Sequence, residues 1–257
     1  MKHTIHFDTA EGIRKNISEL TGVSVEDIDH FVASVEDWEY AERDYRILWM
    51  DYQRKFGCSP VIKEAILFHG CRCLPGTDFK EGLLPNNQAI DLIWQHMYGA
   101  VGENLSYPDW KTWKSEFEKR CSDIYLKRLR FSDIRQRGPW GKFVREEWFL
   151  EYCGSNHYIH KAPEIVFDVL KTFTKSDRVN ELYLKNTLGC LVHFRAPCQD
   201  PKRLGHGLVY LCDKRHCVVP QQYRGSYGLE SMEGHSVPFE DILNVEFLPQ
   251  DATRTDL

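Results

Sequence analysis

The spacing of apolar residues changes along this chain, and that change limits the possible folds more than any other feature. Over residues 9–56 the apolar positions fall three and four apart, as Ile13, Ile17 and Leu20 and then Ile28, Phe31, Val32 and Val35. That period predicts helices with one buried face. Ser24, followed by Glu26 and Asp27, has the chemistry of a helix start, a capping hydroxyl with acids in the first turn. Trp38, Tyr40, Tyr45, Trp49 and Tyr52 add an aromatic content that suits packing between helices, or a partner surface. Beyond Gly57 the apolar runs are short. Ala65-Ile66-Leu67-Phe68 ends at His69-Gly70 and reads as a buried strand entering a loop. Helical spacing returns at 91–98. The last third reads as strands at 189–194, 207–211, 217–219 and 243–248, each bounded by Gly, Pro, Asp or Lys. Helices first and clustered strands afterwards predict an α+β fold.

A chain of 257 residues holds one large domain or a core with an appendage. The texture favours a helical N-terminal segment over 1–60 and a main domain over 61–250. Between 101 and 150, Pro108, Trp110, Trp113, Pro139 and Trp140 punctuate a charged stretch that reads as an insertion. The longest apolar runs fall far short of the ~20 residues that a membrane-spanning helix needs. Met1-Lys2-His3-Thr4 carries no apolar signal region, and nine cysteines are an odd number, so a cytoplasmic protein with reduced thiols is expected. Cys71, Cys73, Cys212, His216 and Cys217 have spacings that match no common zinc knuckle, and no metal is expected.

The net charge of −5 argues against bulk coating of nucleic acid. A local basic strip remains: Lys127, Arg128, Arg130, Arg135, Arg137, Lys142 and Arg145, interleaved with Phe131, Trp140 and Phe143. It reads either as a solvated face with aromatics turned inward or as a polynucleotide groove with stacking platforms.

Two segments carry chemistry. The first is His69-Gly70-Cys71-Arg72, followed by Phe79-Lys80-Glu81-Gly82-Leu83-Leu84-Pro85. A histidine at a strand end is held rigidly, and the glycine beside it lets a flat ligand approach the backbone. Taken alone, His-Gly fits equally a core histidine satisfied by backbone at a turn. The second runs Glu230-Ser231-Met232-Glu233-Gly234-His235-Ser236-Val237-Pro238-Phe239-Glu240-Asp241-Ile242. Its acids alone read as a surface loop.

Together, and in this order, the segments resemble the opening and closing patterns of the ADP-ribosyltransferase superfamily. In the opening pattern a strand with His-Gly-(Thr, Ser or Cys) precedes a helix ending in Gly-Leu-x-Pro. In the closing pattern the catalytic glutamate is followed seven and eight positions later by an apolar residue and proline; Glu230, Val237 and Pro238 fit that register.

The resemblance implies a split β-sandwich with flanking helices around an NAD cleft. His69 is expected to bond a ribose hydroxyl of NAD and Gly70 to hold the carboxamide, with Cys71 and Arg72 beside them. Tyr158 is expected to stack on nicotinamide, with Tyr98 and Tyr152 as rivals. Glu230 is expected to stabilise the oxocarbenium-like ribose left when nicotinamide departs, as carboxylates do in glycoside cleavage. The acceptor is expected to be a macromolecule, RNA ahead of DNA or protein, in the manner of toxins of antiphage and toxin–antitoxin systems held in check by an antitoxin protein. Water as acceptor, giving an NAD glycohydrolase, and a non-catalytic interaction module of the same fold are the alternatives.

Overall fold

The computed structural model describes residues 3–36, 44–120, 138–150, 157–173, 178–217 and 228–248. The chain opens with β1 (Thr4–Ile5) and three capped helices, α1 (Ala10–Thr21), α2 (Val25–Ala33) and α3 (Tyr45–Phe56). Thr9 caps α1 by accepting from the Gly12 amide, and Ser24 caps α2 by accepting from Asp27, as its sequence setting predicts. Asp44 caps α3 and pairs with Arg46, whose hydrogen bond is the main cause of an Asp44 pKa lowered to about 2.

Next come β2 (Glu64–Cys73), α4 (Asn86–Val101), α5 (Trp110–Arg120) and β3 (Trp140–Lys142). Then follow α6 (His157–His160), α7 (Glu164–Phe173), α8 (Arg178–Asn186) and β4 (Leu188–Pro197). The chain continues through α9 (Leu204–His216), β5 (Leu229–Ser231) and β6 (Ile242–Phe247). The fold is therefore α+β, with a mixed sheet in the order β5-β3-β2-β4-β6 and β1 joined to β2. β1 runs parallel to β2, with Thr4 opposite Glu64, and β3 runs antiparallel to it, with Lys142 opposite Phe68. Among the described residues no helix is long and apolar enough to cross a membrane.

The chain divides into two compact units. The first contains Met1–Phe68, Gly141–Asn156 and His193–Glu230; the second contains His69–Trp140, His157–Val192 and Ser231–Leu257. Residues 101–150 are thus shared between them.

The first unit is organised on α9, which packs against α1, α2 and α3. Every residue from 204 to 213 is buried. The strand expected at 207–211 is therefore the middle of a helix. A helix buried on all sides is apolar on all sides and loses the one-faced spacing that identifies a surface helix. Its glycines, which read as strand boundaries, serve close packing: a Cβ on Gly205 would fall 2.0 Å from the Tyr45 carbonyl oxygen. Of the strand expected at 217–219, Cys217 caps α9, and 218–219 lie outside the described residues.

The second unit has its own core, in which Trp94 of α4 meets Trp113 of α5 edge-on at 5.0 Å and packs near Val166 and Val169 of α7 and Tyr183 of α8. Within this unit an isolated antiparallel bridge joins Leu83 and Val237, which exchange two backbone hydrogen bonds of 2.9 Å. Gly82 makes this possible, since a Cβ there would stand 2.0 Å from the Val237 carbonyl oxygen and its φ is +74°. Ahead of Gly82 the chain forms a turn closed from Gly82 to the Phe79 carbonyl, where the family pattern implied a helix end.

Candidate active site

Glu230 sits on β5 in the first unit, at the wall of a cavity of about 160 Å³. Leu67 of β2, Phe143, the end of β4 at Pro197, the turn through Cys198 and Asp200, and Arg203 complete the wall. Asp200 shapes that turn by accepting from the Lys202 amide at 3.0 Å. Arg203 follows at the entrance to α9.

Arg203 is the residue that fixes the carboxylate. Its Nη2 stands 2.9 Å from Glu230 Oε2 and donates to Oε1 at 3.2 Å, while Nη1 donates to the Tyr45 hydroxyl at 3.1 Å. The guanidinium also lies over the rings of Tyr45 and Phe143, at 5.6 and 5.9 Å. A planar cation held by two aromatic faces and a hydroxyl is a rigid partner for a carboxylate. The Glu230 side chain is about one-third exposed, with its Oε2 buried beside Arg203.

Behind Arg203 is a buried imidazole. His206 stacks on Tyr45 at 3.8 Å and on Phe143 at 5.0 Å, and its Nε2 has no hydrogen-bond partner. Gly228 rests against that ring, where a Cβ would come within 2.7 Å, and its φ of +97° also suits glycine. Two residues on comes Glu230, so this contact sets where β5 and its carboxylate begin.

Burial first, and the Arg203 charge second, lower the His206 pKa to about 3, so the ring is neutral at physiological pH. The unfolded chain, with histidine near ~6.5, binds more protons between those two values. Stability from this group is complete above about pH 6.5 and is lost as pH falls towards 3. Urea unfolding is expected to show about 2 kcal/mol less stability near pH 5 than near pH 7. The variant His206→Phe is expected to reduce that slope and to leave the part, of the same sign, that comes from His69 and His96, both held below the usual histidine range by burial. An unchanged slope in the variant would assign the effect elsewhere.

His69 belongs to the second unit, on β2, and is partly buried. Its Nδ1 lies 2.7 Å from the Trp140 carbonyl oxygen. A carbonyl only accepts, so Nδ1 carries the proton, and the neutral ring offers Nε2 as an acceptor for a hydroxyl. Burial lowers the His69 pKa and keeps it in that form. Gly70 is buried beside it, and the strand runs on to Cys73, so His69-Gly70 lies within β2 and not at its end.

Arg72, grouped with the NAD contacts by resemblance, is engaged by the protein. Four N–H bonds, of the five a guanidinium offers, go to Thr187 Oγ1 and to the carbonyls of Ile159, Leu184 and Thr187. It ties β2 to α6 and to the end of α8. Tyr158 lies on α6, partly buried, one residue before the Ile159 carbonyl that Arg72 binds. Of its rivals, Tyr98 donates its hydroxyl to the Tyr107 carbonyl at 2.8 Å, and Tyr152 lies outside the described residues. Glu233 is exposed in a turn, at φ +50°, closed from His235 to Met232.

The basic strip loses one member. Lys142 is 1% exposed and pairs with Glu147, itself fully buried, so it belongs to the core and to no surface. Lys127, Arg128, Arg130, Phe131, Arg135 and Arg137 lie outside the described residues. Among the described residues no group of His, Cys, Asp or Glu is arranged to hold a metal ion.

Sequence reasoning gives Arg203 and His206 no role, and places Tyr45 among the packing or partner aromatics and Phe143 among those of the basic strip. Gly228, a glycine two positions before the singled-out glutamate, is the signal that could have pointed to close packing there. No family model matches the chain, and neither a curated protein nor a solved structure matches it.

Proposed function

We propose that the chain is an NAD-dependent ADP-ribosyltransferase that transfers ADP-ribose to a macromolecule, with RNA favoured as acceptor, on a fold related to the split β-sandwich of that superfamily. The observation that carries this reading is the pairing of Leu83 with Val237. It docks the segment that follows His69-Gly70-Cys71 onto the segment that follows Glu230. Two stretches distant in sequence, each singled out by a motif, are thereby joined at a glycine that both its positive φ and the close approach of Val237 require.

Each residue's chemistry suits its role. Nε2 of His69, left as an acceptor by the Trp140 carbonyl, is fitted to a ribose hydroxyl. Glu230, held by Arg203 at the cavity wall with its side chain partly exposed, is fitted to stabilise positive charge developing on the ribose as nicotinamide leaves, and to orient the incoming acceptor. Cation stabilisation acts mainly in the transition state, hydroxyl binding in both ground and transition states. Because the bond to the hydroxyl also positions the ribose, His69→Ala is expected to raise KM for NAD and lower kcat together, read from initial rates of nicotinamide release.

The role is that of a growth-halting toxin of a defence system, restrained by an antitoxin protein and acting in the cytoplasm. Incubation with adenine-labelled NAD and a whole-cell lysate tests the acceptor. Label that is removed by ribonuclease and survives protease supports RNA; label removed by protease or deoxyribonuclease would reassign it. Nicotinamide release with no labelled macromolecule would make the protein a glycohydrolase.

A further inference from the structure

Three thiols of the second unit meet at one point. Sγ of Cys190, on β4, lies 3.2 Å from Sγ of Cys71 and 3.5 Å from Sγ of Cys73, and it also donates to the Cys71 carbonyl at 3.6 Å. Residues two apart on a strand share a face, so Cys71 and Cys73 stand on the same side of the sheet, where both reach Cys190 of β4, the sheet neighbour of β2. Neighbouring strands lie about 4.8 Å apart, inside the Cα separation of about 4.4–6.8 Å that a disulfide bridges. Cys73 and Cys190 are buried, whereas Cys71 is partly exposed.

We propose that these three residues form an oxidation site, at which a hydroperoxide joins Cys71 to Cys190 in a disulfide and Cys73 stands ready to exchange into it. In the first step the Cys71 sulfur attacks a peroxide oxygen. The O–O bond breaks, the sulfur loses two electrons and becomes a sulfenic acid, and the reduced peroxide leaves as water or an alcohol, carrying the thiol proton. In the second step the Cys190 sulfur attacks the sulfenic sulfur; the S–S bond forms, the S–O bond breaks and water leaves. Two thiols and one hydroperoxide thus give one disulfide, one alcohol or water, and one further water.

The order of events follows from exposure and hydrogen bonding. The Cys190 thiol is pushed up chiefly by its bond to Cys71, and the Cys73 thiol chiefly by its bond to Cys190. Cys71, the one of the three residues that solvent partly reaches, therefore meets the hydroperoxide first. Attack by Cys73 on the Cys190 side of the disulfide would release Cys71 again by thiol exchange, with no further oxidant.

Tryptic mapping of the 257-residue chain tests this directly. Cleavage after Lys63, Arg72, Lys80, Lys185 and Arg195 puts the three cysteines on separate peptides, 64–72, 73–80 and 186–195. After a stoichiometric dose of hydrogen peroxide and alkylation in denaturant without reductant, peptide 64–72 is expected joined to 186–195, with a minor 73–80 to 186–195 species. Dithiothreitol is expected to abolish both. Cys58 and Cys198, partly exposed with no disulfide partner in the proposal, should need more peroxide. In Cys190→Ser, Cys71 is expected to stop at a sulfenic acid that dimedone traps. Alkylated Cys71 and Cys190 at a dose that has oxidised Cys58 or Cys198 would overturn the proposal, as would a link through Cys73 alone or Cys71 overoxidised beside an intact Cys190.

Discussion

Replacing Glu230 by glutamine is expected to lower NAD turnover by about 10²–10³ while leaving NAD affinity within a few-fold of the unaltered chain. The carboxamide keeps the size of the side chain and an oxygen for Arg203, so the cavity wall and the anchoring contact at 2.9 Å survive in outline. What is lost is the negative charge opposite a ribose that becomes cationic only as the bond to nicotinamide breaks. Such a loss falls on kcat and spares ground-state binding. Glu233→Gln, by contrast, alters an exposed turn residue and is expected to keep near-normal turnover. Isothermal titration for affinity and nicotinamide release for rate separate the two. The opposite pattern, with Glu233 essential and Glu230 dispensable, would shift the register by three residues.

The second large effect concerns stability. Lys142 of β3 and Glu147, in the turn Arg145–Phe149, form an ion pair with side chains 2% and 0% exposed. The ammonium also lies 5.2 Å from the centre of the Trp148 ring, and Trp148 donates its indole N–H to the Phe68 carbonyl at 2.9 Å. Lys142→Met takes the paired ammonium away from a buried carboxylate. A cost of about 3–5 kcal/mol is expected, a large share of the ~5–15 kcal/mol that holds an ordinary domain together. Removing both charges together, in Lys142→Met with Glu147→Leu, is expected to recover most of it, because two apolar side chains of similar volume need no counter-charge. Urea midpoints of the single and double variants measure this. A double variant as unstable as the single one would mean that packing around Lys142, and not its charge, is what the first unit needs.

How much of this was readable beforehand depended on whether a residue's role is local. The Ser24 cap, the helices of the first 56 residues and the strands at β2, β4 and β6 follow from side chains acting on their own backbone within a turn or two, and patterning finds them. Helix α9 has the sequence texture of a strand because its burial on every side is set by α1, α2 and α3, which no local period encodes. Lys142 falls into a basic strip because a charge in sequence carries no sign of its depth; Glu147, five residues on, is its buried partner.

The candidate site divides in the same way. His69, Gly70 and Glu230 lie in motifs and were named from them, whereas the side chains that hold Glu230 come from α3, from the residue after β3 and from the start of α9. Arg203 looks like one more surface cation until the fold brings Tyr45 and Phe143 to its faces. Arg72 was drawn into the NAD group by its place next to Cys71, yet its guanidinium closes on carbonyls more than eighty residues away.

Whether the chain cleaves NAD at all is the measurement that bears most directly on this account. Purified protein mixed with NAD and total cellular RNA, followed by chromatography for free nicotinamide, is predicted to show release that depends on time and protein and is abolished or nearly so by Glu230→Gln. NAD recovered intact in the presence of RNA, DNA and protein extracts, at concentrations well above those of cells, would contradict the proposed activity and leave the cavity at Glu230 without that role.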